Sequence, residues 1–496
     1  MASDELIHMP LAAMDYVPGI NYPGAIVYLP LKPGASPTKL FAHLQEGLHR
    51  TFVQVPWLNG KVYRQSEKAP DWRPGRLEVR YTPIPVDGPP PHQFRFKELE
   101  ETTTYEDIKA GGFSLQTFQD EELLWAEIYV NISSSVGTEV FAAQANFLPG
   151  VCILSFALLH SVGDAAATTT IVRLWADHCR SISSETPGPS FSRESWDRTT
   201  LETVWQTEGK EKARRPQGEL DITTWHMVGL DPYSAVASAQ ALKPRPTPKV
   251  RSMKSRMFYI SPAAFRALRK ATDDAGGELG SDTTDISGND ILIALIWRAV
   301  VKARTQAAVI AATADDGNPD SLAELVVTTD GRFNFSQTGA VSPDYLGNIV
   351  FHHRPAAPLR SLTAPDSTMP AVARLVRDSG RVINHQTMME GYQLLRECPN
   401  YGLVRREHPT RMLVSSMLMF SADLEFGDAR GLLAGGGRPE SYRYLTTVRD
   451  SYCFPCCFIM PRKAYGGIEF MATLFDEELD LLLKDKEFSR YVYLLS

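Results

Sequence analysis

Cysteine is scarce in this chain: six in 496 residues, at Cys152, Cys179, Cys398, Cys453, Cys456 and Cys457. That is too few for a disulfide framework and fits a reducing compartment. The opening Met-Ala-Ser-Asp-Glu-Leu-Ile-His holds two acids and no basic stretch, and no apolar run approaches the length of a bilayer span. The expectation is a cytoplasmic protein with no membrane partner. Excess positive charge is lacking too. Against 51 Lys and Arg stand 58 Asp and Glu, a formal charge of −7, whereas gripping a nucleic-acid backbone requires a basic face. Nucleic acid is therefore not expected as a partner. A Gly-x-Ser-x-Gly elbow, a Gly-x-Gly-x-x-Gly fingerprint and a Walker loop are missing as well, which removes the common hydrolase, dinucleotide and nucleoside-triphosphatase readings.

What is present is a foldable chain, 43% hydrophobic and 22% charged, too long for one core. Its strand and helix signals predict two α/β lobes, residues 1–216 and 250–496, joined by a crossover at 217–249 in a stretch rich in Ser, Pro and charge. Ala25–Leu31 reads as a strand and Pro37–Leu48 as a helix. The apolar run Phe147–His160 reads as one strand buried on both faces and ending at His160, with a helix over Ala165–Cys179 after the turn Ser-Val-Gly-Asp. Ser287-Gly-Asn-Asp290 has the form of a capping box ahead of the apolar helix Ile291–Val301. Leu325–Thr329, Met412–Phe420, Cys453–Met460 and Ile468–Leu474 read as strands, and Glu477–Lys484 starts a last helix.

An alcohol becomes a useful nucleophile at neutral pH only if its proton leaves as the new bond forms, and imidazole, with a pKa near ~6.5, suits that work. His160, at a strand exit, is the candidate base; a hydrogen-bonded structural histidine is the alternative. Asp164 directly precedes a helix and is expected to cap it. Cys453-Phe-Pro-Cys456-Cys457 has Cys-x-x-Cys spacing but no second ligand pair, so core cysteines are expected and no metal. His352-His353 could be ligands or a second base, or a surface or interface pair. Gly435-Gly-Gly437 reads as a flexible turn.

Several motifs, taken in order, resemble those of the BAHD-type acyltransferases, within them the fungal trichothecene 3-O-acetyltransferase group. They are Leu11-Ala-Ala-Met-Asp15, Pro56-Trp-Leu-Asn-Gly60-Lys-Val, His160-Ser-Val-Gly-Asp164, Asn289-Asp followed by Trp297-Arg298, Asp330-Gly-Arg332 and Tyr345-Leu-Gly-Asn348. The resemblance implies a two-lobed chloramphenicol-acetyltransferase-like fold, each lobe a mixed sheet packed with helices, with an active-site channel between the lobes. It also implies His160 as general base, acyl-CoA (acetyl-CoA) as cosubstrate with no permanent cofactor or metal, and a small-molecule alcohol as acceptor. The hydroxyl, on a hydrophobic secondary metabolite, would attack the thioester directly, and a monomer is expected. Asp164, Arg332 and Glu425 would support the site, Arg332 holding Asp164 or Glu425; a surface arginine is the alternative. The chain departs from the pattern at Ala165, where the family has Gly, and at Glu425-Phe-Gly-Asp-Ala429, where it has Asp-Phe-Gly-Trp-Gly. Two other readings stand beside this one. A condensation-domain-like amide or ester synthase usually carries a second histidine where this chain has Leu159, and a catalytically silent relative would bind a metabolite without turning it over.

Overall fold

The computed structural model describes residues 5–100, 103–114, 116–127, 130–211, 215–230, 252–278, 283–310, 320–404, 412–420, 423–445, 454–463 and 466–496. Its N-terminal half is built on strands β1 (Ala25–Pro30), β2 (Phe94–Glu98), β3 (Phe141–Leu148) and β4 (Val151–Leu158). Each is rich in aromatic, β-branched or small apolar residues, and β1, β3 and β4 are buried along their whole length. The apolar run over 147–160 is two strands, not one. Pro149 lacks an amide donor, and Gly150 adopts φ +84°, so the chain reverses there and β4 runs back antiparallel to β3. Strand β4 stops at Leu158, two residues before His160.

Helices α1 (Pro37–Gln54) and α2 (Ala165–Ser184) pack together on this sheet. The indole of Trp175 donates to the Leu44 carbonyl at 2.8 Å, and its ring meets Phe94 edge-on at 5.2 Å.

The second sheet is formed by β5 (Met253–Ile260), β6 (Leu322–Asp330), β7 (Val350–His353), β8 (Met412–Ser416), β9 (Cys456–Ile459), β10 (Ile468–Phe475) and β11 (Tyr493–Leu494). Their order is β7-β6-β8-β9-β10-β5-β11, and Ala356–Pro358, paired with β6, makes it eight-stranded. Strand β8, expected to reach Phe420, ends at Ser416. Cys456 and Cys457 are buried core residues of β9 as expected; Cys453 lies outside the described residues. Among the described residues no helix is long and apolar enough to cross a membrane.

The two halves interlock. The strand Tyr442–Tyr444 leaves the C-terminal half and pairs antiparallel with β1, completing a five-stranded N-terminal sheet, while Phe426, Ala429 and Leu433 join that sheet's core. In the other direction Leu201, Val204, Trp205 and Met227 pack with Phe335, Tyr345, Ile349 and Phe351 in a third core. Residues 231–249, most of the expected crossover 217–249, lie outside the described residues. Gly435-Gly-Gly437 is a tight turn with little freedom. All three glycines have positive φ, and a Cβ on Gly437 would strike the Gly427 carbonyl.

Helix α3 (Gly288–Ile310) is the buried spine of the C-terminal core. Its start is the expected capping box: Asp290 Oδ2 accepts from the Ser287 amide at 2.8 Å and hydroxyl at 2.7 Å, and Ser287 Oγ accepts from the Asp290 amide at 3.2 Å. Ser287→Ala should cost about 1 kcal/mol, seen as a lower urea midpoint in tryptophan fluorescence with turnover unchanged.

Candidate active site

After β4 the chain makes one turn, residues 159–164, before α2 begins, and both halves of the protein hold that turn. The His160 amide donates to the Asn21 carbonyl at 2.9 Å. Asn348, from the C-terminal half, donates through Nδ2 to the His160 carbonyl at 3.1 Å. Asn348 is itself fixed by fully buried Asp15, whose Oδ1 accepts from the Asn348 amide at 3.1 Å and from Nδ2 at 2.9 Å. Asp15 in turn is paired with buried Arg198 at 3.2 Å.

Asp164 behaves as the sequence suggests. Its side chain caps α2, accepting from the Ala167 amide at 3.0 Å, and it is fully engaged elsewhere as well. Arg332 grips it with two parallel bonds of 2.8 and 2.9 Å, and the Ile349 amide donates to it at 3.1 Å. Arg332 is equally saturated, donating to the carbonyls of Tyr345 and Gly347 and to Asp330 Oδ1. Side chains 1% and 4% exposed make this a buried pair. Burial by itself would raise the Asp164 pKa, but the Arg332 charge and hydrogen bonds more than offset it, so the carboxyl sits below its usual range. Asp164 therefore stays ionised and turned toward arginine; it does not orient the imidazole.

His160 as a residue is only partly exposed, and its ring Nδ1 is buried. Among the described residues its Nδ1 has no hydrogen-bond partner. Burial pulls its pKa below the ordinary histidine value, opposed by the Asp164 charge and the nearby carbonyls of His160 and Gly163. The imidazole is neutral at pH 7 and free to accept a proton.

Two expectations need correction. Glu425 does not join this cluster. It lies 3.8 Å from Arg180 and 3.4 Å from Arg438, and Arg180 is about 24 Å from Asp164 along α2. Its loop packs on the far end of that helix, with Phe426 against Trp175 at 6.0 Å, so of the two acids expected for it Arg332 holds Asp164 and not Glu425. His353 is neither a surface residue nor a base. It is buried and bonded to Ser379 at 2.7 Å, and burial pushes its pKa down to about 4. Among the described residues no group of three or more His, Cys, Asp or Glu is placed to hold a metal ion. Asp15 and Asn348 stand inside motifs quoted above, but their partnership needs the fold. Arg198, in a stretch without periodicity, carried no signal.

A five-stranded mixed sheet completed by a strand from the C-terminal half, an eight-stranded mixed sheet, and a His160 turn held from both halves make up a two-lobed α/β fold of the chloramphenicol-acetyltransferase kind. The chain belongs to the Transferase family, whose model matches residues 114–489; a second model, the trichothecene 3-O-acetyltransferase-like N-terminal domain, matches residues 25–179. This membership bears out the resemblance to the BAHD-type acyltransferases and their fungal group. The chain is similar to an isocyanide synthase–NRPS hybrid, crmA, of Aspergillus fumigatus, with 28% identity over 97% of this chain and 31% of that protein. It is also similar to an enoyl-CoA isomerase/hydratase, claC, of Penicillium crustosum, with 24% identity over 91% of this chain and 47% of that one. The chain thus spans less than half of either relative. Trichothecene 3-O-acetyltransferase TRI101 of Fusarium sporotrichioides is 24% identical over 94% of this chain and 92% of its own. The fold matches the crystal structure of F. graminearum TRI101 complexed with coenzyme A and deoxynivalenol, TM-score 0.74 at 19% identity, over 99% of this chain and 100% of that one.

Arg332→Ala leaves buried Asp164 and half-buried Asp330 without their cation and should destabilise the fold by about 3–5 kcal/mol, read as a lowered urea midpoint and reduced soluble yield. Arg332→Lys should fall between, since lysine cannot make the two parallel bonds.

Proposed function

We propose that the chain is an acyl-CoA-dependent O-acyltransferase, using acetyl-CoA, that acts on a hydroxyl of a hydrophobic secondary metabolite. His160 takes the hydroxyl proton as the oxygen attacks the thioester carbonyl. The imidazolium then returns the proton to the departing thiolate, so no covalent acyl-enzyme forms. The observation that carries this reading is a neutral, desolvated imidazole, its Nδ1 without a hydrogen-bond partner among the described residues, on a turn that both halves hold in place. Asp164 and Arg332 act as positioning residues for that turn, and Asp15, Arg198 and Asn348 do so from the other side. Family membership supports an acyl transfer. The names of TRI101 and of an eremophilane O-acetyltransferase, prx11, of Penicillium rubens, 22% identical over 90% of this chain, support an alcohol acceptor. The coenzyme A in TRI101 crystals supports the donor. Residues 1–216 and 250–496 serve as the two lobes of a monomer acting in the cytoplasm.

A second reading has a specific observation behind it. The similarity to a synthase–NRPS hybrid, together with a fold match of TM-score 0.54 to a condensation domain of the CDA synthetase, favours a donor held on a carrier protein. Purified protein supplied with acetyl-, malonyl- or benzoyl-CoA and a panel of alcohols should release free thiol. Turnover only with phosphopantetheinyl-protein thioesters would replace the first reading by the second, and none with either would leave a silent binding protein.

His160→Ala should lower turnover by about 10²- to 10⁴-fold with folding intact. Because burial lowers the His160 pKa, the base keeps its lone pair on acidification until below the unperturbed value of about 6.5. The acid limb of kcat/KM should therefore have its midpoint under that value. The sign for stability follows. The unfolded state takes up this proton first, so the contribution is full above about pH 6.5 and is lost as pH falls below it.

A further inference from the structure

Away from the His160 turn, α1 and α2 enclose a half-open cavity of about 800 Å³ together with the loop around Val86 and Asp87. Its wall includes two histidines that are almost wholly buried, His49 at 5% and His178 at 2% exposed. His178 stands on the same helix that Asp164 caps, about 21 Å further along it, so this cavity is not the site of the proposed chemistry. Buried polar atoms are nearly always paired. Here three atoms of lining residues have no hydrogen-bond partner among the described residues: His49 Nδ1, Gln54 Oε1 and His178 Nδ1.

The bonds these side chains do make fix what each unmet atom can do. His49 Nε2 lies 2.9 Å from the Val86 carbonyl, so it carries the ring hydrogen, and Nδ1 of the neutral ring is a bare acceptor. Gln54 Nε2 donates to the Pro189 carbonyl at 2.7 Å, which sets the orientation of the amide and leaves Oε1 an acceptor. The second amide hydrogen meets His178 Nε2 at 3.2 Å. That nitrogen therefore accepts, and the His178 hydrogen sits on Nδ1 as a donor. Burial, reinforced by the Arg50 charge, pushes the His178 pKa down to about 4, so the ring stays neutral. Arg50, the one lysine or arginine in the lining, is already paired with Glu46 at 2.8 Å, and Asp87 adds a further negative charge. The lining thus disfavours an anion. What is unmet is two acceptors and one donor, and a primary carboxamide is their complement: two N–H donors and a carbonyl on one flat, uncharged group. Gly188, also in the lining, keeps the donor uncovered, since an added Cβ would stand 3.1 Å from His178 Nδ1.

We propose that this cavity is a second binding site, for a small neutral primary carboxamide held by His49 Nδ1, Gln54 Oε1 and His178 Nδ1. The site stands apart from the acyl-transfer reading, so its test needs no turnover. With the full chain, nicotinamide is titrated against protein whose histidine rings are isotope-labelled at nitrogen and followed by NMR. Two analogues are run beside it: nicotinate, which brings a negative charge and no donor, and N,N-dimethylnicotinamide, which keeps the carbonyl and has no N–H. Nicotinamide should shift the Nδ1 resonances of His49 and His178, and the analogues should bind about tenfold more weakly. His49→Phe removes one acceptor and identifies the His49 signal. Gly188→Ala lays a methyl over the donor, at an exposed position whose φ is outside the left-handed region, and identifies His178 by its displacement. Each variant should raise the Kd for nicotinamide about fivefold, with a urea midpoint near wild type; should His49→Phe lose its fold, Gly188→Ala alone decides. A wild type whose two histidines stay unshifted up to about 10 mM nicotinamide overturns the site. Equal binding of the analogues overturns the carboxamide assignment, and a Kd unchanged by the substitutions overturns the location.

Discussion

The ion pair between Arg332 and Asp164 is the constraint on which the rest of the site depends. One carboxylate, at the head of a 20-residue helix of the N-terminal half, meets one guanidinium at the end of a strand of the C-terminal half. Both are out of water, and every polar atom of the pair is used. A buried pair of this kind is weak evidence of net stability; its value here is registry. It fixes where the turn carrying His160 lies relative to the second sheet, and it occupies Asp164 so completely that the imidazole receives no carboxylate partner. As the base we propose, His160 works by its environment alone, neutral because it is desolvated. Serine-hydrolase triads follow a different logic, in which a buried acid orients the ring and stabilises its charged form.

Legibility in the sequence followed the range of the interaction. The capping box at Ser287, the cap at Asp164 and the helices beginning at Pro37 and Ala165 are set by contacts a few residues apart, and they stand in the structure where residue spacing put them. The boundary inside Phe147–His160 escaped because apolarity is continuous through the reversal; only Pro149-Gly150 marks it, a two-residue signal inside a hydrophobic run. The Arg332–Asp164 pair joins residues 168 positions apart, and nothing local encodes it; the motif order offered two acids, and the fold chose one. Glu425 was misplaced because sequence similarity preserves a loop's identity without saying which end of α2 it packs on. Arg198, bound to Asp15 across 183 positions, had no local pattern to betray it.

Asp15, Arg198 and Asn348 extend the same principle to the other side of the turn. A hydrogen bond to the His160 carbonyl limits how the peptide after His160 can rotate, and the Asn21 contact limits the peptide before it. Preorganisation of this type lets a single side chain act as base without mobile helpers.

The exchange of Tyr442–Tyr444 into the N-terminal sheet also bears on how the molecule is made. During synthesis β1 emerges early, yet its outer edge stays unpaired until more than four hundred further residues have left the ribosome, since its partner begins at residue 442. An open edge is an invitation to wrong pairing, and a contact closing so long a loop forms late. The nascent N-terminal half therefore passes through a long interval as an unfinished sheet, a natural client for chaperones, and it reaches its final form only when the C-terminal half has caught up.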